Sequence, residues 1–280
     1  MTIKNFFRVL YLPLLFFVGA SHAEQNNIPS CYAANKMDVA PPPPKRAFLL
    51  LIDETTQFNN KLRESAWKQA KPLLQPGTSL TLVRFSAFSQ SRYTTVSFSG
   101  LIEEGVTDSQ RHSISVKKLK KFDTCLEDQK HFVWQQLQKA MSEAFDNVSS
   151  ELAKSDVIAA MKDVSVLMKA ATSPEKILFV MSDMLENSTI SSFYEGNRVK
   201  KIDPKTELKK VKKEEMFGDF GNVKVWVMGA GLVPEEPGSK GVYRDPIRLK
   251  ALHAFWNDYF KESKATLVEF GTPELKKEIR

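Results

Sequence analysis

The sequence predicts an α/β fold: a doubly wound, mostly parallel six-stranded sheet of order 3-2-1-4-5-6, with strand 3 antiparallel and helices on both faces. Short apolar runs alternate with stretches of helical periodicity through most of the chain. One link, about Ser89 to Arg92, is too short for a crossover, so strands 2 and 3 must run antiparallel. Two apolar runs end in aspartates, at Asp53 and Asp183, where an open α/β sheet places its ligands.

The central strand is the run Ala47 to Ile52, apolar without interruption and closed by Asp53. A run this short and unbroken suits a strand buried on both faces. A helix follows over about Phe58 to Leu74, where Phe58, Leu62, Ala66, Ala70 and Leu73 recur at helical spacing and Gln75-Pro76-Gly77 stops it. Leu80 to Phe88 and Tyr93 to Phe98 form strands 2 and 3. Gly100 to Lys121 is polar and resists assignment; it holds the cluster Lys117, Lys118, Lys120 and Lys121. Leu126 to Phe145 is amphipathic, and after a polar break at Asn147 to Ser150 a helix runs over Asp156 to Lys169, with Ser155 or Asp156 as its cap. The methionines of that helix, Met161 and Met168, sit in its apolar stripe and read as core.

Lys176 to Met181 is strand 4, followed at once by Ser182 and Asp183. A charged helix is expected over Thr206 to Met216 within a polar, basic stretch. Val223 to Met228 is strand 5. The Gly229-Ala230-Gly231 turn after it is no dinucleotide fingerprint, because the later glycine is missing and Pro234 blocks an immediate helix. Asp245-Pro246 opens a helix to about Glu262, with Leu249, Leu252, Trp256 and Tyr259 inward, and Ala265 to Phe270 is strand 6. His253 reads as a packing residue of that helix.

Composition is that of a chain with a core, 42% hydrophobic and 26% charged, so disorder is not the default. Residues 1–23 read as a secretory leader: Lys4 and Arg8, then an apolar Val9 to Ala20, then Ser21-His22-Ala23 before Glu24. That predicts a periplasmic or secreted protein cleaved after Ala23. The apolar run falls short of the ~20 residues of a membrane span. No Cys follows it directly, against a lipoprotein, and no later segment is long enough to span a bilayer. Without Lys4 and Arg8 the formal charge falls from +7 to +5, mildly basic. Residues 24–45 form an arm stiffened by Pro41 to Pro44, and residues 46–280 the folded domain. In an exported chain with two cysteines, Cys31 and Cys125, one disulfide is the simplest expectation.

Asp53 and Asp183 meet if strands 1 and 4 are neighbours. Thr55 adds a hydroxyl from the first loop and Ser155 another from a helix start. Two carboxylates and two hydroxyls are oxygen donors that suit a hard cation such as Mg²⁺.

These residues carry a family resemblance. Ile52-Asp53-Glu54-Thr55-Thr56-Gln57 resembles the metal-ion-dependent adhesion site of von Willebrand factor A (VWA) domains, whose first loop reads Asp-x-Ser/Thr-x-Ser. Asp53 and Thr55 match its first and third positions. Lys154-Ser155-Asp156-Val157 is similar to the family's second loop, with Ser155 in place of Thr, and Ile177 to Asp183 resembles its fourth strand and following Asp. Met184 to Ser188 is similar to a segment of exported bacterial A-domain-like proteins. The likeness runs from about Arg46 to Leu275. It implies a Mg²⁺ held by Asp53, Thr55, Ser155 and Asp183, and a protein partner in the cell envelope offering a carboxylate. Gln57 departs from the pattern, standing where the family has Ser.

No catalytic motif accompanies this set. The chain lacks Gly-x-Ser-x-Gly, His-Glu-x-x-His and a P-loop, and Thr55 breaks the Asp-x-Asp of haloacid-dehalogenase-type phosphotransferases. His112, His131 and His253 are not paired at ligand spacing. The sequence therefore predicts a binding module with no small-molecule cofactor, and the alternatives are a metal-dependent envelope hydrolase or an anionic-polymer binder using the lysine clusters. The lysines lack the interleaved aromatics that stack on nucleic acid, which argues against that partner.

Overall fold

A computed structural model describes residues 26–89, 92–146, 155–195, 198–233 and 245–280, with the side chains of 87–89, 92 and 93 excepted. The expected leader, the polar break at Asn147 to Ser150, Lys154 and Pro234 lie outside the described residues. The elements in order are α1 (Cys31–Ala34), β1 (Arg46–Asp53), α2 (Asn60–Ala70), a 3₁₀ turn (Lys71–Leu73), β2 (Thr78–Ser89), β3 (Arg92–Ile102), α3 (Asp108–Arg111), α4 (Val116–Asp146), α5 (Val157–Ala170), β4 (Glu175–Met181), α6 (Pro204–Lys213), β5 (Val223–Met228), α7 (Pro246–Glu262) and β6 (Ala265–Phe270).

The strands form one six-stranded sheet of order β3-β2-β1-β4-β5-β6, as the sequence predicts. Only β3 is antiparallel to its neighbour. β1 lies at the centre, and its alternate residues enter two different cores. Ala47, Leu49 and Leu51 pack with α5 and α7, while Phe48, Leu50 and Ile52 pack with α2 and α4. Helices therefore cover both faces. Burying each such side chain is worth ~1.5–3 kcal/mol, which is why an unbroken apolar run is stable only here. With both faces apolar, the hydrophobic pattern does not set the register of β1. Its polar end does: Ile52 pairs with Met181 of β4, so Asp53 and Ser182 emerge side by side.

Helix boundaries differ from expectation in physically readable ways. α4 starts at Val116, ten residues before the predicted Leu126, and spans 31 residues. Leu119, Phe122 and Leu126 continue the stripe of Val133 and Leu137, but four lysines among them hide it. α6 starts earlier than predicted, at an Asp203 cap with Pro204 at the first helical position, the signal that also opens α7. Leu249 is only half-buried, and His253 is exposed, its ring 5.3 Å from Phe270, because it lies on the outer face of α7. Met161 and Met168 are core, as read.

The arm is held by a Cys31–Cys125 disulfide to α4. The carboxylate of Glu103 reinforces it, accepting from the Ser30 hydroxyl at 2.6 Å and the Cys31 amide at 2.7 Å. Among the described residues, no helix is long and apolar enough to cross a membrane.

Candidate functional site at the end of β1 and β4

The site begins with a turn that the Asp53 side chain makes for itself. Its Oδ1 accepts from the amide of Thr55 at 2.9 Å and from the Thr55 hydroxyl at 2.6 Å, closing an Asx-type turn off the strand. Its Oδ2 accepts from the Ser182 hydroxyl at 2.6 Å and, at the long distance of 3.5 Å, from Ser155. The sequence-predicted set Asp53, Thr55, Ser155 and Asp183 is thus brought together where the winding of the sheet reverses. Gln57 is exposed, whereas Asp53, Ser155 and Asp183 are buried.

Ser182 relays the two strand ends. It donates to Asp53 while accepting from the amide of Met184 at 2.9 Å, and its own amide bonds to Met228 O of β5. Asp183 is held from three sides. Its amide donates to the Thr56 hydroxyl at 3.0 Å, its Oδ1 accepts from the Leu185 amide at 2.8 Å, and its Oδ2 accepts from the Tyr194 hydroxyl. Met184 adopts a left-handed φ of 59°, and the indole of Trp256 in α7 fixes it by donating to Met184 O at 2.8 Å. Gly229 completes the floor with a φ of 102°. A Cβ there would meet the Phe58 ring at 2.7 Å and Ser182 O at 2.9 Å, so only glycine fits.

Neither Ser155 nor Asp156 supplies the side-chain cap expected for α5. The Ser155 hydroxyl turns to Asp53, and the Glu186 carboxylate reaches the helix instead, accepting from the Ile158 amide at 2.8 Å. Glu186 is 0% exposed, and burial pushes its carboxyl up to about 8 from the ordinary 4.5.

Electrostatics make the cluster unusual. Asp53 is 0% and Asp183 3% exposed, and burial raises both carboxyls above the usual carboxylate range. Hydrogen bonds from Ser182 and Thr55 hold Asp53 back, whereas the nearby Asp53 charge lifts Asp183 further. No lysine or arginine among the described residues offsets either one. The arginine of the next strand, Arg84, is committed to Glu54 at 3.0 Å. Burial first, and Asp183 second, raise the Tyr194 phenol, so it stays a donor at neutral pH.

Sequence reasoning missed Thr56, Ser182, Glu186 and Tyr194 as members. Ser182 and Thr56 adjoin predicted residues and were within reach of inspection. Tyr194 lies in a polar stretch with no periodicity, and only the folded loop carries it back.

No known protein family and no curated protein matches the chain by sequence. Several solved structures resemble it, two of them from Bacteroides. One is an aerotolerance-related membrane protein from Bacteroides fragilis, at 13% identity and a TM-score of 0.37, over 80% of this chain and 90% of that one. The other is the conserved hypothetical protein BatB from Bacteroides thetaiotaomicron, at 12% identity and a TM-score of 0.33, over the same shares. The fold assignment here rests on the chain's own strand order and register.

Among the described residues, no group of three or more His, Cys, Asp or Glu side chains could hold a metal. A cation at this cluster would therefore depend on two carboxylates, hydroxyls and water. In kind the donors fit a hard cation: Asp53, Asp183, Thr55, Ser155 and Ser182 offer oxygen only, and among the described residues the two carboxyls have no basic partner.

Proposed function

We propose that this chain is an exported VWA-like interaction module of the cell envelope, whose partner-facing end is the acidic cup at β1 and β4. The observation that carries this reading is the pair of buried carboxylates, Asp53 and Asp183, with no lysine or arginine among the described residues to balance them. Buried charge of this kind needs a counter-charge. Asp53, Asp183, Thr55, Ser155 and Ser182 would hold a Mg²⁺-type cation, which supplies the positive point that attracts a partner's carboxylate. Asp53 orients the Thr55 and Ser182 hydroxyls, and Thr56 positions the Asp183 backbone. Thr55 and Tyr194, both bonded to the buried carboxylates, are themselves only half-buried. The leader sequence and the disulfide support an oxidising, extracytoplasmic setting.

Calorimetric titration of Mg²⁺ into the wild type, Asp53→Asn and Asp183→Asn tests the cation. Saturable heat in the wild type alone supports it, and equal traces from all three refute it. Retention of envelope proteins on the immobilised chain, present with Mg²⁺ and lost in EDTA, then tests the partner.

A second reading rests on a different observation: every oxygen of both carboxylates already accepts a hydrogen bond. On that reading a proton balances the charge, and the cup is a structural lock. Mg²⁺ then has no effect on melting.

A further inference from the structure

We propose that the first two turns of α4 form a docking surface for the phosphate headgroups of an anionic bilayer. Lys117, Lys120, Lys121 and Thr124 follow i, i+3, i+4, i+7 spacing and line one open groove on the helix. The stripe is about 10 Å long at the rise of an α-helix. Val116, four residues before Lys120, flanks it and is 83% exposed.

The charge of this stripe is not balanced among the described residues. α4 has no acidic residue in its first turn, so the lysines crowd the positive end of the helix macrodipole. Lys117 and Lys121 are also a like-charge pair four residues apart, a further local penalty. The carboxylate three residues from Lys120, Asp123, is taken by Arg111 through two bonds of 3.0 and 2.6 Å. Asp38 is bonded to Lys118, which lies outside the stripe. Among the described residues, Lys117, Lys120 and Lys121 form no ion pair. An external anion removes both penalties at once.

One feature selects a membrane over a soluble polyanion. Val116 is a large apolar side chain set beside the lysines, an arrangement that suits an interface with apolar material just beneath the charge. Basic residues in such a setting are drawn to anionic lipid. This surface is separate from the acidic cup, and the proposal stands without it.

The test is co-sedimentation of the chain from Glu24, which retains every described residue, with phosphatidylcholine vesicles containing or lacking phosphatidylglycerol. Binding is expected only with phosphatidylglycerol and should weaken as salt is added. Lys117→Gln/Lys120→Gln/Lys121→Gln should cut it roughly a hundredfold, at about fivefold per lysine. Val116→Ser should cut it less, and only for vesicles. Melting of the triple variant, unchanged or raised, certifies its fold. Equal binding by wild type and the triple variant overturns the proposal. So does wild type that ignores the vesicles but binds inorganic polyphosphate in solution.

Discussion

The Tyr194 hydroxyl is hydrogen-bonded to Asp183 Oδ2, so a residue eleven positions downstream folds back over the acid that closes β4. The loop between them is pinned by the Trp256 indole on Met184 O and by short bridges at Asn187, Ser192 and Tyr194. Tyr194 thus competes with any ligand for Asp183 Oδ2.

That contact gives a direct discrimination between cation and proton. Both carboxyls are raised by burial, so the folded state holds protons more tightly than the unfolded chain. Stability is then highest below the ordinary carboxylate pKa and falls as pH rises above it. If a cation binds, Mg²⁺ should restore the loss, with a melting shift that grows with pH, enlarges in Tyr194→Phe and disappears in Asp183→Asn. If a proton serves, Mg²⁺ shifts nothing and Asp183→Asn is stabilised at high pH relative to wild type. Scanning calorimetry across pH reads both.

Ser182→Ala should destabilise the fold by about 1–3 kcal/mol, because it strips Asp53 of a 2.6 Å donor and leaves the Met184 amide without its acceptor. Urea midpoints measure this. A loss under about half a kcal/mol would mean that water replaces the hydroxyl, and that Ser182 is not the relay described.

Glu186→Gln should flatten the pH dependence of stability. The wild-type carboxyl titrates near 8 when folded against 4.5 otherwise, so the stability present below 4.5 is lost as pH rises to about 8. Glutamine keeps an acceptor for the Ile158 amide and has nothing to titrate. The variant should therefore gain on the wild type through that window, whereas Glu186→Ala should lose about 1 kcal/mol or more with the cap at every pH. Melting curves in a pH series report both.

Reduction, or Cys31→Ser, should lower stability by about 5 kcal/mol at most, the loop entropy expected for cysteines 94 residues apart. Because Glu103 also holds the arm through Ser30 and Cys31, the folded sheet should survive. Denaturant unfolding with and without reductant measures the loss, and complete unfolding on reduction would contradict it.

The sheet was legible because its strands are apolar runs with no competing reading, and because the short link after Ser89 forbids a crossover. The pair Asp53 and Asp183 was legible because each closes such a run. What escaped was carried by long-range geometry. The start of α4 was hidden because lysines replaced the polar–apolar contrast on which periodicity depends. The cap of α5 comes from Glu186, 28 residues beyond the amide it serves, so local cap rules pointed to Ser155 and Asp156 instead. Tyr194 carried no signal, since its role exists only once its loop has closed.

The Cys31–Cys125 link has a topological result. It closes a covalent ring that contains β1, β2 and β3 together with α2 and α3, while β4, β5 and β6 lie on the open tail beyond it. A protease that cuts once between residues 31 and 125 leaves both pieces attached, and a cut after 125 frees a fragment. One half of the sheet is therefore protected from separation and the other is not, and the boundary runs between β1 and β4, through the cup itself.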